Sequence, residues 1–192
     1  MEPLVKKPGW ETLPKALRDR ASLTGGEIAV RVKDRGIWKA YTWKDYYENV
    51  RNLCLGMVSL GLGRGDKVSI VGENKPEWFW AELAAQCAGG VAVGIYTDCS
   101  AEEVKYFLEN SDSSFVVAHD QEQVDKLLWI RDQLPLLKKI IYWDTKGLWG
   151  YDRPDLVSMQ EVIELGQAFG EENPRLFDEM IDQGSADDIA VL

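Results

Sequence analysis

The sequence predicts an α/β protein built on an open, mostly parallel sheet with helices on both faces and a β-hairpin ahead of it. Three observations predict it. The stretch 65–96, GDKVSIVGENKPEWFWAELAAQCAGGVAVGIY, reads as strand, helix and strand. Short apolar runs recur at 115–118 and 139–143, and amphipathic helical segments separate all of these runs at nearly even spacing. Two apolar strands joined by one helix form a right-handed crossover, so the strands lie parallel and both faces of the sheet are covered.

The elements follow in order. Residues 1–26 form a polar entry segment, with a short helix expected over 14–21 that stops before Gly25-Gly26. Residues 28–33 and 37–41 alternate apolar and polar side chains around Asp34-Arg35-Gly36, the pattern of a two-stranded hairpin. Thr42 caps a long helix whose apolar positions Tyr46, Val50, Leu53, Met57 and Leu60 advance by four and three. Residues 68–72 are a buried strand. Asn74 is expected to cap the next helix, with Pro76 in its first turn and Glu77 at the positive end of its dipole. Trp80, Leu83, Ala84 and Cys87 share one face of that helix, and Gly89-Gly90 end it before the strand 91–96.

Ser100 and Glu103 make a capping box ahead of a helix that buries Val104, Phe107 and Leu108. Asp120 and Gln123 open another, carrying Val124, Leu127, Leu128 and Ile130, with Pro135 beyond its end. After Asp144 the regular alternation is expected to stop. KGLWGYDRPD is turn-rich, Ser158 with Glu161 is a further capping box, and Asn173-Pro174 start a short helix burying Leu176, Phe177, Met180 and Ile181. These two small helices are expected to cap the sheet. Residues 189–192 open one more apolar strand, so the chain is expected to be a shortened piece of a longer protein. The organisation expected is an entry segment 1–26, an α/β subdomain 27–143, and a helical extension 144–192 leading into a further strand.

Composition bounds the function. A net charge of −10 argues against a nucleic-acid-tracking surface, which needs clustered Lys and Arg. Cys54, Cys87 and Cys99 form no C-x-x-C pair, and His119 is the only histidine, so neither a disulfide framework nor a multi-histidine metal site is expected. The first fifteen residues lack the apolar core of a signal peptide, and a cytoplasmic location is expected. Residues 78–96 are nearly apolar enough for a membrane span, but Glu82, Gln86 and the Gly pair would then sit in hydrocarbon. Gly61-Leu62-Gly63-Arg64-Gly65 has the spacing G-x-G-x-G and precedes a strand, so it reads as a turn and not as a dinucleotide fingerprint.

The chain resembles the acyl-adenylate-forming enzymes (AMP-dependent synthetases and ligases) through matches in the family's order. They are Tyr41-Thr42-Trp43-Lys44-Asp45, the run Leu60-Gly61-Leu62-Gly63-Arg64-Gly65-Asp66-Lys67-Val68, and Asn74-Lys75-Pro76-Glu77-Trp78. The run from Ala88 to Tyr96, the helix begun by Ser100-Ala101-Glu102-Glu103-Val104, and Asp187-Asp188-Ile189-Ala190-Val191-Leu192 complete the set. The insertion Gly147-Leu148-Trp149-Gly150-Tyr151-Asp152 and Met159-Gln160-Glu161-Val162 resemble bacterial long-chain fatty acyl-CoA synthetases. Gly94 departs from the proline common in the wider family.

The resemblance implies the N-terminal part of a ligase that joins a fatty acid to CoA through acyl-AMP, using ATP, Mg2+ and CoA in the complete enzyme. The family's phosphate-binding loop begins after the strand that Ile189 opens, so none of these is expected to bind tightly to this chain, which is expected to be inactive by itself. No catalytic or metal residue is therefore assigned. In CoA-using relatives the loop matching Tyr96, Thr97 and Asp98 runs beside CoA, which makes these three the candidate cofactor-side residues; the plainer reading is a βα turn in which Asp98 or Ser100 caps the next helix. His119 and Asp120 are candidate rim residues, with a surface histidine and a capping aspartate as the plainer reading. Fatty acid and CoA are the partners implied; a homodimer is allowed, contact with a membrane is at most peripheral, and nucleic acid is excluded. Two other readings compete: a flavodoxin-like or Rossmann nucleotide-binding module, opposed by Glu73 and Pro76 in the first βα turn, and an oligomer interface using some of the eight Trp.

Overall fold

The computed structural model describes residues 10–192; residues 1–9, the start of the polar entry segment, lie outside the described residues. Helix α1 (Leu13–Thr24) is capped by Thr12. Strands β1 (Ile28–Asp34) and β2 (Ile37–Thr42) pair antiparallel as a separate two-stranded sheet. Their turn places Arg35 and Gly36 at φ 47° and 84°, the left-handed pair whose twist matches a tight hairpin. Thr42 caps α2 (Trp43–Ser59) in a reciprocal box with Asp45.

The main sheet begins with β3 (Lys67–Val71), continues through α3 (Pro76–Cys87) to β4 (Val91–Ile95), and then runs α4 (Ala101–Asn110), β5 (Ser113–Ala118), α5 (Gln121–Ile130) and β6 (Lys139–Tyr142). The expected sheet is thus present. The capping boxes of Ser100 with Glu103 and of Ser158 with Glu161 both form, and Asp120 caps α5. Asn74 does not cap α3. Lys75 holds that position, extended at φ −102° and ψ 163°, because the residue before a proline is driven out of the helical region.

The alternation does not stop at Asp144. Strand β7 (Leu156–Ser158) pairs parallel with β6 and leads into α6 (Met159–Glu172), so one more strand-helix unit extends the sheet before α7 (Leu176–Gln183). The strand order is β4-β3-β5-β6-β7, all parallel. The winding reverses between β3 and β5, which makes the carboxyl ends of those strands a topological switch point.

Alternate residues of each strand serve opposite layers. Val68, Ile70, Phe115, Val117 and Ile141 face the layer of α1, α2, α3, α6 and α7; Val71, Val116, Ala118 and Ile140 face α4 and α5. Phe107, expected in the second layer, is 38% exposed, because Val104 and Leu108 already fill that face. Strand β5 starts two residues earlier than its apolar run, since the hydroxyls of Ser111, Ser113 and Ser69 form a buried chain with O–O distances of 2.8 and 2.7 Å.

Helices α2 and α6 meet backbone to backbone. A β-carbon at Gly166 would lie 1.8 Å from the Asn52 carbonyl oxygen, and one at Gly56 2.0 Å from the Val162 carbonyl oxygen. So α6 is a full member of the helical layer. The terminal residues do not form a full strand, but Ala92 N donates to Ala190 O and Leu192 N to Ala92 O, both at 3.0 Å, along the free edge of β4.

Candidate functional site

Two crevices open at the carboxyl edge of the sheet, where parallel α/β folds place their ligands. The first, of about 350 Å3, lies between the ends of β3 and β4 and is lined by Gly72, Glu73, Asn74, Trp78, Gly94, Ile95, Tyr96 and Thr97. The second, of about 310 Å3, lies under the hairpin and takes Lys39, Tyr41, Lys75, Glu77, His119 and Trp143 among its lining.

The strand ends are locked together beneath them. His119 N donates to Val71 O at 2.9 Å and Asp144 N to His119 O at 2.8 Å. The His119 ring stacks on Trp143, with centroids 5.0 Å apart and planes 17° apart. Gly72 has to be bare there: a β-carbon would sit 2.2 Å from the Trp143 ring and 2.8 Å from the His119 β-carbon.

Tyr96 and Thr97, in the turn after β4, both line the first crevice. Tyr96 is 84% exposed, its ring available to a ligand. Thr97 is held by its carbonyl, which accepts from Lys126 Nζ at 2.8 Å and from Gln123 Nε2 at 3.4 Å, so α5 fixes the loop. Asp98 is exposed in the same turn but does not line the crevice, and Ser100 is the residue that caps α4. The Ser100 backbone N–H and hydroxyl hold the Glu103 carboxyl below its ordinary value.

His119 lines the second crevice, and Asp120 serves as a cap, with Oδ1 accepting from Gln123 N at 3.2 Å. Tyr41 packs edge-on against Trp80 at 5.2 Å, and burial pushes its phenol above the ordinary value. Gly72, Trp78 and Trp143 were not singled out as site residues in the sequence. The signal for Trp78 is its position in the first turn after Pro76, which aims it at the strand ends; Trp143 and Gly72 come together only in the folded sheet.

The first crevice carries one carboxylate, one side-chain amide and two large aromatic rings, and among the described residues no cation lines it. Such a lining suits a neutral ligand with apolar and hydrogen-bonding groups and does not suit a phosphate. Among the described residues, no three metal-ligating side chains converge. No helix of the described residues is long and apolar enough to cross a membrane.

Fold and crevices together define an α/β protein with open crevices at the carboxyl edge of a parallel sheet. A family model described as AMP-binding enzyme matches residues 17–192. The chain belongs to this family of acyl-adenylate-forming enzymes.

It is 37% identical over 156 residues to long-chain-fatty-acid–CoA ligase ACSBG2 of Xenopus laevis, covering 81% of this chain and 21% of that protein. With ligase ACSBG1 of Bos taurus it shares 34% identity over 77% of this chain and 20% of the relative. The chain therefore spans about a fifth of the length of these curated relatives. Among solved structures, coronafacic acid ligase from Pectobacterium brasiliense superposes with a TM-score of 0.69 at 21% identity, over 79% of this chain and 29% of that one. The A-PCP didomain of a carboxylic acid reductase from Segniliparus rugosus gives 0.68 at 15% identity, over 81% and 26%. These two bear on the fold alone.

Proposed function

We propose that this chain is the N-terminal part of an AMP-forming long-chain fatty acid–CoA ligase. The carrying observation is the likeness to long-chain-fatty-acid–CoA ligases over four-fifths of the chain. In the complete enzyme a fatty carboxylate, a poor electrophile, attacks the α-phosphate of ATP to give acyl-AMP and pyrophosphate; the CoA thiol then displaces AMP. Such chemistry depends on positioning and on charge stabilisation of phosphate by backbone N–H groups, Lys and Mg2+. On this reading the chain holds no catalytic residue and carries out no adenylation of its own.

What the chain supplies on this reading is one wall of the CoA path. Tyr96 offers an exposed ring for the pantetheine arm, Thr97 fixes the loop through its bond to Lys126, and Asp98 lies on its outer rim. Residues 144–192 lead toward the rest of the enzyme. In the complete ligase, Tyr96→Ala is expected to raise KM for CoA about ten-fold, roughly the loss of one aromatic contact, with fatty-acid-dependent ATP–pyrophosphate exchange unchanged. Equal loss in both half-reactions would remove the assignment.

The strand order is also that of flavodoxin-like nucleotide binders. Against that reading, the first βα turn presents Glu73 to any phosphate and Pro76 removes an N–H donor. Stoichiometric binding of FMN in a calorimetric titration would favour it over the ligase.

A further inference from the structure

The β1–β2 hairpin carries a net charge opposite in sign to that of the chain as a whole. Between residues 28 and 42 it carries Arg31, Lys33, Arg35 and Lys39 against Asp34 alone, in a chain of net charge −10. Its two faces differ. Val30, Val32 and Tyr41 lie on the inner face, Val30 and Tyr41 packed against the core, and at the tip Lys39 is paired with Asp34 at 2.6 Å. The register puts Arg31 opposite Ala40 and Lys33 opposite Trp38 on the outer face. Arg31, Lys33 and Arg35 make no ion pair among the described residues. Trp38 is 66% exposed, and Ile37, beside the turn, is 70% exposed. The strands pair only with each other, while the base is anchored by Trp43 N donating to Glu27 O and by the Tyr41 contact with Trp80.

We propose that this outer face docks the protein on an anionic lipid surface. Trp38 flanked by Arg31 and Lys33, with Ile37 exposed on the other face beside the turn, matches the interface between headgroups and acyl chains, where an indole sits at headgroup depth and Lys and Arg meet anionic headgroups. A narrow two-stranded tip buries little area against a rigid protein face but enters a deformable lipid layer. The acidic body does not forbid this: at physiological salt, charges more than about 8 Å from the surface are screened, and the hairpin projects its cations nearest the membrane. The inference rests on hairpin geometry and charge, independently of the ligase reading.

The test sediments the 192-residue chain with vesicles of phosphatidylcholine, with and without about 30% phosphatidylserine, at salt between about 0.05 and 0.5 M. The chain is expected to pellet with the anionic vesicles only, and to be released as salt rises. Lys33→Glu is expected to weaken binding at least about five-fold and the pair R31E/K33E more, with Trp38→Ala also losing binding. Trp149→Ala, at another exposed tryptophan, is expected to bind as the parent does. Unchanged urea midpoints show that these exposed substitutions leave the fold intact. No pelleting, equal pelleting with both lipids, insensitivity to salt, or parental binding by R31E/K33E overturns the proposal. Pelleting without vesicles also overturns it, by making a second copy the occupant of the hairpin face.

Discussion

Gly166→Ala is expected to destabilise the protein by about 3 kcal/mol or more, a large share of the roughly 5–15 kcal/mol that holds a domain of this kind together. Its β-carbon would lie 1.8 Å from the Asn52 carbonyl oxygen and 2.7 Å from Gly56 N. Both obstacles are backbone of α2, which has no flexible end to swing away. Relief requires α2 and α6 to part, and parting exposes Val50, Leu53 and Val162, all fully buried between the helical layer and the sheet. In urea the midpoint should fall by about 1–2 M with the slope little changed. Gly150→Ala is the control, since nothing lies within 4 Å of the added carbon. Equal midpoints for the two variants would mean that the helices are not packed through these glycines.

Arg131→Met is expected to have the second-largest effect, about 2–3 kcal/mol. Arg131 sits in the 3-10 turn Arg131–Gln133 after α5 and ties three segments together. Its Nε donates to Asp155 Oδ2 at 2.7 Å, and its terminal nitrogens donate to Leu134 O at 3.0 Å and Leu137 O at 2.8 Å. Side-chain exposures of 20% for Arg131 and 14% for Asp155 mean that water replaces little of what is lost. Burial alone would raise the Asp155 carboxyl, but hydrogen bonds from Arg153 and Arg131 outweigh it and hold the group below its ordinary value. A depressed folded-state value contributes stability that is complete above the unfolded value near 3.9 and is lost as pH falls through the folded one. The parent should therefore lose stability below about pH 4 more steeply than Arg131→Met, and parallel acid profiles would contradict this account.

The contrast between these two sites shows what the sequence makes legible. Local signals were sufficient wherever one short segment decides the outcome: the boxes of Ser100 with Glu103 and Ser158 with Glu161, the hairpin turn at Arg35-Gly36, and the apolar stripe of α2 all stand where they were expected. The seam of Gly56 with Gly166 was not read, although Gly166 and Gly170 lie four apart on one helical face, because that spacing says nothing about which neighbour comes close. Strand β7 was missed because three residues carry no periodicity, and only pairing with β6 makes Leu156–Ser158 a strand. Asn74 misled as a cap because the proline two residues on dictates the conformation of Lys75 and moves the helix start to Pro76. Of the candidate site, the turn after β4 could be located from the strand it follows. The partners of that turn, Gly72, Trp78 and Lys126, are joined to it only by the order of the strands.

On the proposed reading, the chain is part of a two-step ligase whose adenylating groups lie outside these residues. Fatty-acid-dependent exchange of pyrophosphate into ATP tests it most directly, measured for the 192-residue chain and for the same chain joined to the remaining length of a full ligase. Exchange is expected of the joined protein and not of the chain alone. Exchange by the 192 residues alone, or an inactive joined protein that folds normally, would contradict it.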